Sequence, residues 1–166
     1  MNKLIIREAE IEDLGTIVFI HNNAIKERQF TAMLTPFDIQ QRVDWFHQHG
    51  STTFPLLVAA LEGKVVGWMS SEPYRQGREA LRNTCEISYF VDAKYRKRGI
   101  GKTLLMEMTK NVKLLGFTTM IAVTFHNNEG SNNLLRTFGF ELWGNLPKVV
   151  EIDGITRDHL YFGLHL

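Results

Sequence analysis

The sequence predicts a mixed α/β fold, with antiparallel and parallel strands in one sheet flanked by helices. Three observations lead there. Two apolar segments, Phe54–Leu61 and Val65–Ser71, flank Glu62-Gly63-Lys64, the pattern of a β-hairpin. A strand at Thr84–Val91 is followed by a helical stretch at Ile100–Leu115, a strand at Thr118–Thr124 and a short helix at Asn128–Phe138. The chain then closes with a second strand pair, Phe140–Val150 and Arg157–Leu166, turned at Asp153-Gly154. Hairpin, alternating units and hairpin together require a sheet of mixed direction.

The remaining elements follow in order. Leu4–Arg7 is a short apolar strand. Glu10–Ala24 has Ile11, Leu14, Ile17, Val18 and His21 at helical spacing, with acidic residues in its first turn. Lys26–Thr35 lacks a period and reads as a loop; Thr35 is expected to cap a helix starting at Pro36 and running to about His49, before Gly50. Glu72–Arg82 is polar and basic, a loop. In Ile100–Leu115, Leu104, Leu105, Met108, Val112 and Leu115 face inward, and Gly116 ends the helix. Gly139 closes the Asn128–Phe138 helix. With no repeat, low-complexity tract or linker, residues 1–166 are expected to form one domain.

Bulk properties exclude several classes. Hydrophobic residues are 44% and charged residues 22%, ordinary for a soluble protein. No apolar run reaches the roughly 20 residues of a membrane span, and Met1–Arg7 meets charge too soon for a secretory signal. Cys85 is the single cysteine, so a reducing cytoplasm is expected. Nineteen basic and 18 acidic residues give a net charge of +1, which offers no bulk attraction to nucleic acid. The six histidines show no metal-ligand spacing, so no metal is expected; His47-Gln48-His49 reads as a polar helix end and His126 as a surface residue.

The informative string is Tyr95-Arg96-Lys97-Arg98-Gly99-Ile100-Gly101-Lys102-Thr103, between a strand and a helix. A helix start presents unpaired N–H groups and partial positive charge, which favour a phosphate. Gly99 and Gly101 allow close approach to the backbone, and Arg96, Lys97, Arg98 and Lys102 add charge. A solvated basic loop would also use these residues. Gly101-Lys102-Thr103 looks like the end of a Walker A loop, but Arg96 stands where that motif needs its first glycine. Arg96–Gly101 instead matches Arg/Gln-x-x-Gly-x-Gly/Ala, the acetyl-CoA signature of the GNAT acetyltransferase superfamily.

The resemblance covers nearly the whole chain and is nearest the phosphinothricin and methionine-sulfoximine N-acetyltransferases. Ile6-Arg7-Glu8-Ala9, Leu57-Val58-Ala59 with Val66-Gly67, Thr84-Cys85-Glu86, Asn128-Glu129-Gly130-Ser131 and Phe138-Gly139-Phe140 all resemble segments of that branch. The resemblance implies a GNAT fold with a central sheet splayed at the cofactor site. It implies direct acetyl transfer from acetyl-CoA to the primary amine of a small molecule such as an amino acid or analogue. Pantetheine would pair with the strand at Phe90 and Val91. The diphosphate would lie on Arg96, Lys97, Arg98, Gly99, Ile100, Gly101, Lys102 and Thr103, and Asn128 with Ser131 would meet the pantetheine arm. Homodimers are common in such enzymes, and one is expected here by resemblance. Rival readings are acetylation of protein N-termini or another amine class, and a non-catalytic acyl-CoA-binding module.

An alkylammonium cannot attack a thioester, so a base must take its proton. Alternation puts Thr84, Glu86, Ser88 and Phe90 on one strand face. A carboxylate within an apolar strand is costly unless it meets a cleft or partner. Glu86 is therefore either a base, acting through water, or a strand glutamate paired with an arginine of the preceding loop; the resemblance implies the base. Cys85 reads as core. Arg75, Arg78 and Arg82 gather before that strand, and arginine suits carboxylate recognition. Arg75 follows Tyr74 where the branch has Trp-Arg, so the resemblance implies Arg75, with Arg82 and Thr84, for the acceptor, against a solvated charged loop. The chain departs from the branch at Thr156-Arg157-Asp158, which lacks an aromatic, and in the Gln29–Met33 loop. It also has Leu135 four residues after Ser131, where many relatives carry a Tyr or His able to protonate the leaving thiolate.

Overall fold

Glu62 and Gly63 both adopt positive φ, 51° and 78°, as a two-residue hairpin turn requires, and Leu61 faces Lys64 across them. Asp153 and Gly154 repeat the device at 53° and 77°, between Ile152 and Ile155. The computed structural model describes residues 3–166. Met1 and Asn2, part of the stretch read as free of a signal, lie outside the described residues.

The strands are β1 (Leu4–Glu8), β2 (Leu56–Leu61), β3 (Lys64–Pro73), β4 (Thr84–Val91), β5 (Thr119–Phe125), β6 (Glu141–Ile152) and β7 (Ile155–His165). They form one sheet in the order β1-β2-β3-β4-β5-β7-β6. All pairings are antiparallel except β4 with β5, which run parallel. The mixed sheet expected from sequence is present. The helices are α1 (Leu14–Glu27), α2 (Val43–His47), α3 (Ile100–Leu114) and α4 (Glu129–Phe138).

Helices cover both sheet faces. On one, Ile17 and Ile20 of α1 pack with Leu56, Val58 and Trp68. On the other, Leu104, Leu105, Met108 and Val112 of α3 and Leu135 of α4 pack on Leu57, Met69, Cys85, Ile87 and Met120. Cys85 is wholly buried there, as expected, and burial pushes its thiol up to about 12.

Three expectations are corrected. The helix expected from Pro36 to His49 is absent as such: a 3-10 turn at Gln40–Arg42 leads into the short α2, and Thr35 caps nothing. The Asn22 side chain accepts from the Phe37 backbone N–H and donates to its carbonyl, both at 2.8 Å, so neither group is left for a helix. Conversely, α1 runs past Ala24 to Glu27, ending at Arg28 with φ 57°. Glu72, expected in the loop, lies inside β3 opposite Glu86.

Candidate active site

The parallel ladder between β4 and β5 ends at Ile87↔Ala122, although β4 continues to Val91 and β5 to Phe125. Between the unpaired ends lies a cleft of about 590 Å³, floored by Ile87–Val91 and Ala122–Thr124. Main-chain groups left without a ladder partner on a strand edge suit an extended ligand able to pair with them.

The start of α3 forms the cleft's second wall. Lys97 and Gly99 have φ of 61° and 79°, a left-handed alternation that turns successive N–H groups into one concavity. Gly99 is the N-cap, and the first intrahelical bond runs from the Thr103 N–H to the Gly99 carbonyl at 3.0 Å, so the preceding amides have no helical partner. Gly101 sits where α3 meets α4; an added Cβ would lie 3.1 Å from Leu134 Cδ2. With Lys97 and Lys102 on its lining, this wall fits a diphosphate by charge and by donor geometry. Arg96 also borders the cleft but its charge is engaged: its guanidinium donates to both Glu27 carboxylate oxygens at 2.7 and 2.6 Å, its Nε donates to the Val91 carbonyl, and it stacks on Phe30.

On the α1–α2 face, Glu86 stands opposite Glu72 in the β3–β4 register. Burial raises the Glu86 pKa above the ordinary carboxylate value; the Glu72 charge adds to the rise and Arg75 opposes it. Trp45 Nε1 donates to Glu72 Oε1 at 2.9 Å, and His49 Nε2 lies 3.9 Å from the same oxygen. Burial lowers the His49 pKa, and its Nδ1 meets the Trp45 carbonyl at 2.7 Å. The Arg42 guanidinium lies over Trp45 at 3.6 Å and near Phe37 at 4.8 Å. His21, stacked on Phe90 at 4.5 Å, is held neutral by burial, its pKa lowered to about 4. A half-buried carboxylate whose pKa is raised is a better proton acceptor than an ordinary surface glutamate.

A split parallel pair beside a glycine-capped helix is the arrangement with which known proteins can be compared. Residues 19–140 match the family described as Acetyltransferase (GNAT) family. The chain belongs to the GNAT acetyltransferase family. It is 36% identical over 162 residues to the protein YwnH of Bacillus subtilis, covering 97% of this chain and 98% of that one. It is 32% identical over 162 residues to an L-methionine sulfoximine/L-methionine sulfone acetyltransferase of Pseudomonas aeruginosa, covering 97% and 94%. The crystal structure of a phosphinothricin acetyltransferase from Sinorhizobium meliloti in complex with acetyl-CoA superposes with a TM-score of 0.93 at 30% identity, covering 98% and 88% of the two chains. The protein is an acetyl-CoA-dependent N-acetyltransferase with the GNAT fold.

In this acetyltransferase the cleft gathers Phe90, Val91, Arg96, Lys97, Gly99, Ile100, Gly101, Lys102, Asn128 and Ser131, each singled out from sequence. Arg98 and Thr103 are not on its lining: Arg98 lies near Tyr95, and the Thr103 hydroxyl donates to the Gly99 carbonyl. Asn128 caps α4, its Oδ1 accepting from the Ser131 N–H at 3.2 Å. Glu86 and Thr84 lie on β4 outside the cleft lining; Arg75 is exposed, and Arg82 donates to the Glu79 carbonyl of its own turn. Sequence reasoning missed Glu72, Trp45, Arg42 and Tyr89. His49 is no mere polar helix end, since it packs on Trp45 beside Glu72. His126 stays on the surface, its Nδ1 accepting from the Asp158 N–H. Alternation along Lys64–Pro73 could have placed Glu72; nothing local marked the other three. Among the described residues no three His, Cys, Asp or Glu side chains converge as metal ligands, and no helix is long and apolar enough to cross a membrane.

Proposed function

We propose that this enzyme acetylates the free amine of a small amino acid or amino-acid analogue, with Glu86 as the base. The observation that carries the reading is the Glu86–Glu72 pair, a raised carboxylate across the β4 edge from the cleft. Glu86, through water, takes a proton from the acceptor's ammonium, and the neutral amine attacks the thioester carbonyl carbon. The amides at the start of α3 with Lys97 and Lys102 hold the diphosphate, Phe90 and Val91 pair with pantetheine, and Asn128 and Ser131 border its arm. Arg75 and Arg42 are the cations on the acceptor side; with Arg82 and Thr84 nearby they suit a carboxylate. The substrates named for the Pseudomonas and Sinorhizobium relatives are amino-acid analogues and support this class.

A homodimer in a cytoplasmic setting completes the proposal. Its support is the sheet-edge strand β6, which exposes Leu142, Trp143, Leu146 and Val149, and the single buried thiol. The test is CoA release over a panel of amines. Free amino acids and their sulfoximine or phosphinate analogues should be turned over, and the matching amines without a carboxylate should react far more slowly. Preference for peptide N-termini over every free amino acid would overturn the acceptor class.

A further inference from the structure

Arg157 of β7 is buried, with 8% of its surface exposed, yet among the described residues no carboxylate pairs with it. A buried cation without a counter-ion is costly unless fixed dipoles meet it. Its Nη1 donates to the Arg28 carbonyl, and its guanidinium lies 5.7 Å from the Phe125 ring. That carbonyl belongs to the left-handed C-cap of α1, where the helix dipole favours positive charge. The two residues are 129 positions apart in the chain. Other contacts gather at the same helix end. Glu27 holds Arg96, and Arg28 Nη1 donates to the Leu34 carbonyl at 2.7 Å, which closes the Gln29–Met33 loop. Within that loop Phe30 lines the cleft and packs 4.6 Å from the Arg96 guanidinium. A second link from the hairpin, Arg28 Nε to Asp153 Oδ2 at 3.7 Å, is solvent-exposed and screened. The shielded Arg157 bond is therefore the stronger tie between β7 and the loop.

We propose that Arg157 is a positioning residue for acetyl-CoA: by fixing the Arg28 carbonyl it sets Phe30 against the cofactor cleft. The β6–β7 hairpin thereby governs cofactor affinity from outside the cleft. This rests on the reading above that the cleft holds pantetheine and diphosphate. Arg157 is not on the cleft lining, so its influence passes through the loop. Glu86 lies on β4, away from that loop, so the effect belongs to binding and leaves turnover at saturation alone.

The test is a double-mutant cycle read as acetyl-CoA dissociation constant, KM and kcat. Phe30→Ala should weaken acetyl-CoA roughly tenfold, the worth of one aromatic contact. Arg157→Met keeps the bulk and removes the donor; it should weaken acetyl-CoA by a similar factor and raise KM, with kcat kept within about twofold. In the Phe30→Ala background the same change should cost no more than about twofold further. Arg157→Lys retains a cationic donor and should hold the affinity within about threefold of the wild type. Equal losses from Arg157→Met in both backgrounds, or a fall in kcat with affinity unchanged, would overturn the proposal. Phe30→Ala leaves Arg157 in place, so it decides even if Arg157→Met does not fold: unchanged acetyl-CoA affinity there would also overturn it. Should Gly99→Ala in the cleft wall leave acetyl-CoA binding untouched, the cleft assignment would fall first and this link with it.

Discussion

The two faces of the sheet around β4 build the two halves of the proposed site from different material. On the α3–α4 face the cleft is made largely of main chain: left-handed Lys97 and Gly99, the first amides of α3, and the unpaired ends of β4 and β5. On the α1–α2 face it is made of side chains from distant segments: Arg42, Trp45 and His49 around α2, Glu72 on β3, Glu86 on β4. Backbone donors survive most substitutions, provided the glycines that shape them remain. Side-chain walls can be re-chosen one residue at a time, which fits a constant donor facing variable acceptors. Mutations on the two faces should therefore separate cofactor affinity from chemistry.

The largest separation is expected at Glu86. Glu86→Gln should lower kcat on the order of 10²–10⁴ while CoA binding, followed by calorimetry, stays as in the wild type. Stability should move the other way. The folded-state pKa of Glu86 lies above its unfolded value, so the native state binds the extra proton, and stability falls as pH rises through that interval. Above that interval the wild type carries an unfavourable half-buried charge and the Gln variant does not. A higher melting temperature with lost turnover is the expected pair; unchanged turnover would remove Glu86 from the mechanism.

Gly99→Ala should produce the opposite pattern. An alanine at φ 79° meets no steric neighbour, since nothing lies within 4 Å of the added Cβ, so the cost is conformational, about 1–2 kcal/mol. The turn can relieve that strain only by shifting the amides that face the cleft. Acetyl-CoA should bind roughly tenfold more weakly, with kcat at saturation nearly kept. A loss of kcat with unchanged affinity would break the division between the faces.

This division also explains what could be read in the sequence. Backbone chemistry is local: the Glu62-Gly63 and Asp153-Gly154 turns, Gly99 at the helix start and the closing Gly139 declare themselves within a few residues. The mixed sheet and most of the cleft followed from them. Side-chain walls are non-local. Arg42 and Trp45 come to the site because Asn22 holds the Phe37 backbone, and the helix expected over that stretch gives way to the same pair of hydrogen bonds. Arg96, read as a charge for the diphosphate, is bound to Glu27, which lies 69 residues away in the chain.

A smaller effect is expected where two carboxylates face each other. Glu72 is about half exposed, so its influence on Glu86 is screened and modest. Glu72→Gln removes the like charge and keeps an acceptor for Trp45 Nε1. The Glu86 pKa should fall, and the acid limb of the kcat/KM profile should move to lower pH. A limb that stays put or moves upward would mean that burial alone sets Glu86.

The smallest effect tests the link between the faces, the Arg96–Glu27 pair joining the cofactor turn to the end of α1. Both side chains are about one-third exposed, so the bidentate pair contributes only about 1 kcal/mol. Glu27→Gln should lower the melting temperature accordingly. Arg96 keeps its bond to the Val91 carbonyl and its stack on Phe30, so the turn holds its shape while the guanidinium charge is no longer neutralised. One extra positive charge on the cleft lining, screened by salt, is worth ~0.5 kcal/mol, or two- to threefold tighter acetyl-CoA binding. Stability and affinity should thus move in opposite directions, and the gain in affinity should vanish in high salt. If both fell together, Arg96 would serve to position the turn, and the charge that draws the diphosphate would reside in Lys97, Lys102 and the amides alone.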